Sequence, residues 1–195
     1  CHGECFLVVY ADDFIAGFQY PEEAEMFYER LKSRMEKFGL ELEESKSRIV
    51  ESGRYLANAK ARRGESTRLG SFDFLGFTFY CGKTKTGKPW IMPKTSSKKF
   101  RQKLKDMKIW LYNNKEQKLG KLMYMLNIKL IGHYRYYGIS FNSRMISNFK
   151  QQVRELLYKV LNRRSEKKSY TREGFVEMMK YYKLPNSKIC FSLFS

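Results

Sequence analysis

Near the start of the chain, in the stretch CFLVVYADDFIAGF (residues 5–18), two aspartates stand side by side between apolar runs, Asp12 and Asp13. Carboxylates held this close repel each other. A divalent cation removes that repulsion, and oxygen-seeking Mg²⁺ is the natural candidate. Metals paired on carboxylates are the apparatus of phosphoryl transfer: they activate an attacking hydroxyl and stabilise the leaving oxygen. Taken alone, the same two residues also describe an ordinary solvated turn, because aspartate is a common turn residue. The surroundings have to decide.

Other metal chemistry is excluded by composition. The cysteines are Cys1, Cys5, Cys81 and Cys190, and the chain holds only 2 histidines. The Cys1/Cys5 spacing matches no zinc site, so no Cys/His cluster assembles, and nothing suits an HNH-type endonuclease. The thiols read as free, as in a reducing cytosol.

The elements that must position the aspartates follow from periodicity. Residues 6–11 read as a strand and 14–19 as its return, which places Asp12 and Asp13 at a hairpin tip. In the next segment Ala24, Phe27, Tyr28, Leu31, Met35 and Phe38 recur at helical spacing. Pro21 and the early glutamates Glu22, Glu23 and Glu25 start that helix, and Gly39 ends it. Residues 40–50 (LELEESKSRIV) read as a strand or loop leading into a polar connection around 57–68. Residues 72–93 alternate as a hairpin with its turn near Thr86-Gly87. The Phe72/Phe74 and Phe77/Phe79 pairs fall out of phase across Leu75-Gly76, which predicts a bulge or bend at the glycine.

Beyond Pro93 the pattern becomes helical. Phe100, Leu104, Met107 and Leu111 form one stripe behind a serine cap. A second, more apolar helix spans 119–138. A third begins at Asn142 or Ser143 and carries Ile146, Phe149, Val153, Leu156, Leu157, Val160 and Leu161 on one face. A short fourth helix covers 172–182 after Thr171. The fold class is α+β, with a β-rich domain over 1–93 and a helical domain over 94–195. No apolar run reaches the ~18 residues of a membrane helix.

Charge divides the chain along similar lines. Residues 1–80 carry 14 acidic and 11 basic side chains, a balance of −3, and residues 81–195 carry 6 and 27, a balance of +21. A half this basic, interleaved with tyrosine and phenylalanine, suits nucleic acid. Lys98, Arg101 and Lys105 share a face opposite the Phe100/Leu104 stripe, in a run that also holds Lys94, Lys99, Lys103 and Lys108. Arg135, Arg144, Lys150, Arg154, Lys159, Arg163 and Arg164 add further phosphate contacts. Tyr134, Tyr136 and Tyr137 offer stacking faces for unpaired bases, with packing between helices as the alternative. The stretch RRSEKKSY (163–170) reads as a basic loop on RNA, with a solvated linker as the alternative.

The ordered blocks resemble a family. Tyr10-Ala11-Asp12-Asp13 at a hairpin tip resembles the YxDD motif of reverse transcriptases. The helix after it, the block GLELEESKSRIV with Lys46, Arg48 and Ile49, and the FLGF of residues 74–77 follow in that family's order. Residues 126–164 resemble the maturase-specific thumb of group II intron proteins, through Gly132, Tyr136, Tyr137, Arg163 and Arg164. His133 stands where that family usually has tryptophan.

The resemblance implies a partial polymerase palm, built of antiparallel hairpins and one helix, followed by an all-α thumb. It implies RNA-directed DNA synthesis on an RNA template with a DNA primer and dNTP, together with splicing of a group II intron RNA. Asp12 would be the main ligand of a two-metal Mg²⁺ site and Asp13 its weaker neighbour, with Tyr10 and Ala11 lining the site. Lys46 would protonate the pyrophosphate leaving group, although the same residue reads equally as an exposed lysine. Phe74, Leu75, Gly76 and Phe77 would form the primer grip. The family draws a third aspartate from an earlier palm strand, and none precedes Asp12. The metal site is therefore expected to be incomplete within this chain, and the 195 residues alone are not expected to polymerise. The rival reading is a non-catalytic RNA-binding splicing factor that keeps the palm as scaffold. The implied location is the bacterial cytosol, away from membranes. Whether two copies pair is not legible in the sequence.

Overall fold

The computed structural model describes residues 2–66, 69–163 and 169–193. They fall into two compact units, Cys1–Phe74 with Tyr80–Ile91, and Leu75–Phe79 with Met92–Ser195.

In the first unit, β1 (Cys5–Tyr10) and β2 (Asp13–Phe18) pair antiparallel, from Cys5 opposite Phe18 to Tyr10 opposite Asp13. The turn is Ala11-Asp12, so Asp13 opens the return strand one residue earlier than the pattern suggests. Ala11 has φ 53°, a left-handed conformation that costs any residue with a Cβ some free energy. Every residue of β1 is exposed.

The helix α1 (Pro21–Lys37) forms as its caps and charges predict, with proline in the first turn, Glu22 and Glu23 behind it, and Arg34 and Lys37 in the last turn. Its stripe of Ala24, Phe27, Tyr28, Leu31 and Met35 is half-buried, and the Phe27 ring lies 5.1 Å from that of Phe18. Phe38, the last position of the expected stripe, is instead the C-cap and 69% exposed.

Residues 40–50 take the second of their two expected forms, turns and loop without a strand. One expectation for this unit needs correction. The polar connection is largely a helix, α2 (Arg54–Arg62), entered from Gly53 and anchored by the fully buried Ala57. Its alanine, leucine, lysine and arginine content is strongly helix-favouring, which outweighs its overall polarity.

The segment 72–95 holds three strands rather than one hairpin with a bulge. They are β3 (Phe72–Phe74), β4 (Phe77–Lys83) and β5 (Pro89–Thr95), in sheet order β3-β4-β5. Leu75 (φ 50°) and Gly76 (φ 80°) are both left-handed, as a two-residue type I′ turn requires. The phase break between the phenylalanine pairs is this turn. The second turn, closed by Thr84 N–H to Lys88 O, lies where Thr86-Gly87 predicts it.

The second unit is built on α3 (Ser97–Asn113), α4 (Leu119–Tyr137), α5 (Ser143–Leu161) and α6 (Arg172–Tyr181). Ser96 Oγ caps α3 by accepting from Lys99 N at 3.3 Å, and Thr171 Oγ1 caps α6 by accepting from Gly174 N at 3.1 Å. The predicted stripes meet in one core. Phe100, Met107 and Leu111 come from α3, Ile146, Phe149, Val153 and Leu157 from α5, and Leu122, Leu126 and Leu130 from α4.

The turn between α4 and α5 is fastened by contacts distant in sequence. Asn142, fully buried, does not cap α5 with its side chain. Its Nδ2 donates to Thr95 Oγ1 and to Tyr137 O, and its Oδ1 accepts from Thr95 N, each at 2.8 Å. A Cβ at Gly138 would stand 2.2 Å from Tyr134 O and 2.6 Å from Lys188 O. The close approach exists because the C-terminal segment runs past this glycine, with Phe191 N donating to Gly138 O at 3.0 Å. Among the described residues, no helix is long and apolar enough to cross a membrane.

Candidate catalytic hairpin and nucleic-acid surface

The hairpin presents its carboxylates to solvent. Asp12 occupies the turn, Asp13 the first position of β2, and both are exposed, as are Tyr10 and Ala11. Adjacent residues on a reversing backbone are a compact oxygen-donor set of the kind Mg²⁺ takes, with water to complete its shell. The donor set therefore fits a metal in its chemistry. It supplies two carboxylates: among the described residues no group of three histidine, cysteine or acidic side chains gathers at one point.

Lys46 comes within electrostatic reach of this pair. Its ammonium bonds the Glu43 carboxylate, which holds its pKa above the ordinary lysine value, and Asp13 and Asp12 add smaller contributions in the same direction. The side chain is 76% exposed, so the fold brings the charge near the aspartates without burying it. Arg48, from the same block, donates to Ser71 O at 2.9 Å.

The FLGF stretch is divided. Phe74 belongs to the first unit and Leu75, Gly76 and Phe77 to the second. There the turn is clamped: Tyr136 Oη donates to Leu75 O at 3.0 Å, and Ser96 N donates to Gly76 O at 2.9 Å. The Tyr136 ring stacks on Phe77 with centroids 6.0 Å apart. Holding leucine in a left-handed conformation costs free energy, and these contacts offset it. Sequence reading did not find this use of Tyr136, because its partner lies 61 positions away.

The tyrosine trio separates by burial. Tyr134 and Tyr137 are only 3% and 4% exposed, so their rings are core and no base can reach their faces. This corrects their assignment to base stacking: helix packing claims them. Tyr136, 55% exposed, keeps an open edge. His133, at the place of the family's tryptophan, lies face to face with Phe149, centroids 3.7 Å apart. Burial, with Lys103 nearby, lowers its pKa to about 4, so the ring is neutral at physiological pH.

The cations separate by engagement. Lys98, Lys99, Arg101, Lys103, Lys105 and Lys108 on α3 are all exposed, and among the described residues none joins an ion pair. Asp106, the single acid on α3, accepts from Gln102 instead. Arg135 and Arg144 are exposed as well. By contrast, Lys150 reaches Asn186 Oδ1 at 3.3 Å, Arg154 lies over the Phe175 ring, and Arg163 lies over the Tyr112 ring and bonds its hydroxyl. Those three already serve the packing of the helices. Arg164, and most of the 163–170 stretch, lie outside the described residues.

No curated protein and no solved structure matches the chain. The family model of reverse transcriptase (RNA-dependent DNA polymerase) matches residues 1–79 of the 195, the stretch that holds the hairpin, α1 and the start of the FLGF sheet.

Proposed function

We propose that this chain is part of a group II intron reverse transcriptase and maturase, an RNA-directed DNA polymerase that also binds its intron RNA to promote splicing. The observation that carries the reading is the pair of exposed carboxylates at the β1–β2 tip, inside the stretch that the reverse transcriptase family model matches. Asp12 and Asp13 would hold Mg²⁺, whose chemistry when bound is to lower the pKa of the attacking hydroxyl and to neutralise charge on the phosphates. The chain's own part is to present two carboxylates on a short turn and to keep the Lys46 ammonium, protonated at neutral pH, within electrostatic reach of them for the leaving group. The clamped turn at Leu75-Gly76 supplies a fixed backbone edge for a primer strand. The unpaired cations of α3 and the open edge of Tyr136 supply the RNA surface, and the group II assignment rests on the resemblance of the α4–α5 sequence.

Two measurements test it. Mn²⁺ added to the labelled chain should broaden NMR signals around residues 10–15, and Asp12→Asn with Asp13→Asn should remove the effect. In Mg²⁺-dependent primer extension by the polymerising enzyme, Asp12→Asn should cost at least about 100-fold, since even the outer partners of metal ligands are worth 10–100-fold. Unchanged synthesis, or broadening that ignores the aspartates, would refute the site.

A further inference from the structure

The helices α3 and α5 pack against each other within the second unit, and a groove of about 380 Å³ runs along their seam. Its floor is Leu104 and Leu156, both half-buried. Its rims carry Lys105 and Lys108 from α3 and Lys159 from α5, all exposed and, among the described residues, without ion pairs. The one acid on the lining, Glu155, is paired: Arg172 Nη1 holds its carboxylate at 2.9 and 3.3 Å.

We infer that this groove seats a single-stranded RNA segment, the base on the two leucines and the flanking phosphates on Lys105, Lys108 and Lys159. The inference deepens the RNA-binding reading above and rests on it. Three exposed cations border the groove, and the one acid on its lining is already paired with Arg172, so a phosphodiester backbone laid along it would meet a net positive edge. An apolar floor adds nothing to phosphate binding, but it matches the face of an unpaired base, which splayed RNA loops offer and a duplex hides. The groove is open along its length, and its volume of about 380 Å³ lies at the low end of the range of small-ligand sites, ~300–1,000 Å³.

The test uses the 195-residue chain, a labelled oligouridine and an RNA duplex of equal length, with binding followed by fluorescence anisotropy across a salt series. The triple variant Lys105→Ala, Lys108→Ala, Lys159→Ala is compared with a charge-matched control, Lys118→Ala, Lys121→Ala, Lys183→Ala. Each phosphate contact on a single strand contributes ~0.7 to the salt slope, so the groove variant should lower the slope by about 2 and weaken oligouridine binding roughly 100-fold at 0.1 M salt. The control should change both far less, and duplex binding should be little affected by the groove variant. Equal losses in the two triple variants would show diffuse charge and overturn the groove. Equal losses for duplex and single strand would overturn the single-strand assignment while leaving RNA binding intact. No binding of either RNA by the unmodified chain would overturn the RNA-binding reading itself.

Discussion

In the first unit, Ala57 is the sole apolar side chain among the described residues to be buried, and Phe6, Leu7, Val8 and Val9 of β1 lie between 47% and 61% exposed. In the second, twelve large apolar side chains from four helices are nearly inaccessible, Phe149, Leu126 and Leu157 among them. The charge balance differs in the same way, near neutral in one and strongly positive in the other. A two-stranded hairpin with little buried surface is marginal by itself. A helical core of this density fixes the helix backbones that carry its surface cations. The carboxylates proposed for chemistry thus ride on the lightly packed region, and the cations proposed for RNA ride on the rigid one. Local opening is expected to follow that division.

The sharpest way to break this comparison is to remove the same kind of atoms from each region. Leu126→Ala, at a site with no exposure, should cost about 3 kcal/mol, within the range for buried leucine truncation. Val8→Ala, at a position 47% exposed, should cost less than ~1 kcal/mol. Hydrogen exchange read separately over α4 and over β1–β2 measures both. Equal costs would mean that the hairpin is packed in solution far better than its exposure indicates.

Acid sharpens the comparison within the second unit. The fold holds His133 neutral, with its pKa lowered from 6.5 to about 4 by burial and by Lys103. Above pH 6.5 both folded and unfolded chains carry a neutral ring and the stability is full. Below it the unfolded chain takes up a proton that the fold refuses, so stability falls until about pH 4, where the folded ring protonates too. The loss is on the order of 2 kcal/mol after allowance for partial exposure. His133→Phe keeps the stack on Phe149 and should remove that part of the acid sensitivity of α4 and α5. An unaltered pH profile between 6.5 and 4 would show that the ring is more hydrated than its stacking implies.

These differences also show what a sequence can carry. The core helices were legible because each repeats apolar residues at helical spacing, as in Phe100, Leu104, Met107 and Leu111, and because packing honours that period. The helix α2 was hidden because its residues are polar, so only propensity marked it. The turn at Leu75-Gly76 was half legible: the glycine pointed to a break, but nothing local announces a left-handed leucine, which is held by Tyr136 from another helix. The Asn142–Thr95 pairing, 47 positions apart, leaves no local trace. For the site, the hairpin tip that carries Asp12 and Asp13 was readable from its flanking strands, while Lys46 was named by the resemblance alone and lies 76% exposed. The tyrosines were not readable, since three neighbours on one helix turn look alike until the fold decides which of them face inward.

Tyr134 shows that the rigid unit is not optimised at every atom, and it gives the smallest and most discriminating test. Its ring is 3% exposed, yet its hydroxyl is buried without a hydrogen-bond partner among the described residues. Burial pushes its pKa up to about 12. A buried hydroxyl that loses its water and gains nothing in return is a net cost, so Tyr134→Phe should stabilise α4 by about 1 kcal/mol. The gain should grow between pH 10 and about 12, where the unfolded tyrosine ionises and the folded one does not, so that the unmodified chain loses stability as pH rises while the variant is spared this component. RNA affinity should be unchanged, because the ring is inaccessible. A variant that is destabilised by a similar amount would mean that the hydroxyl has a partner in solution, and one that loses RNA affinity would return Tyr134 to the binding surface.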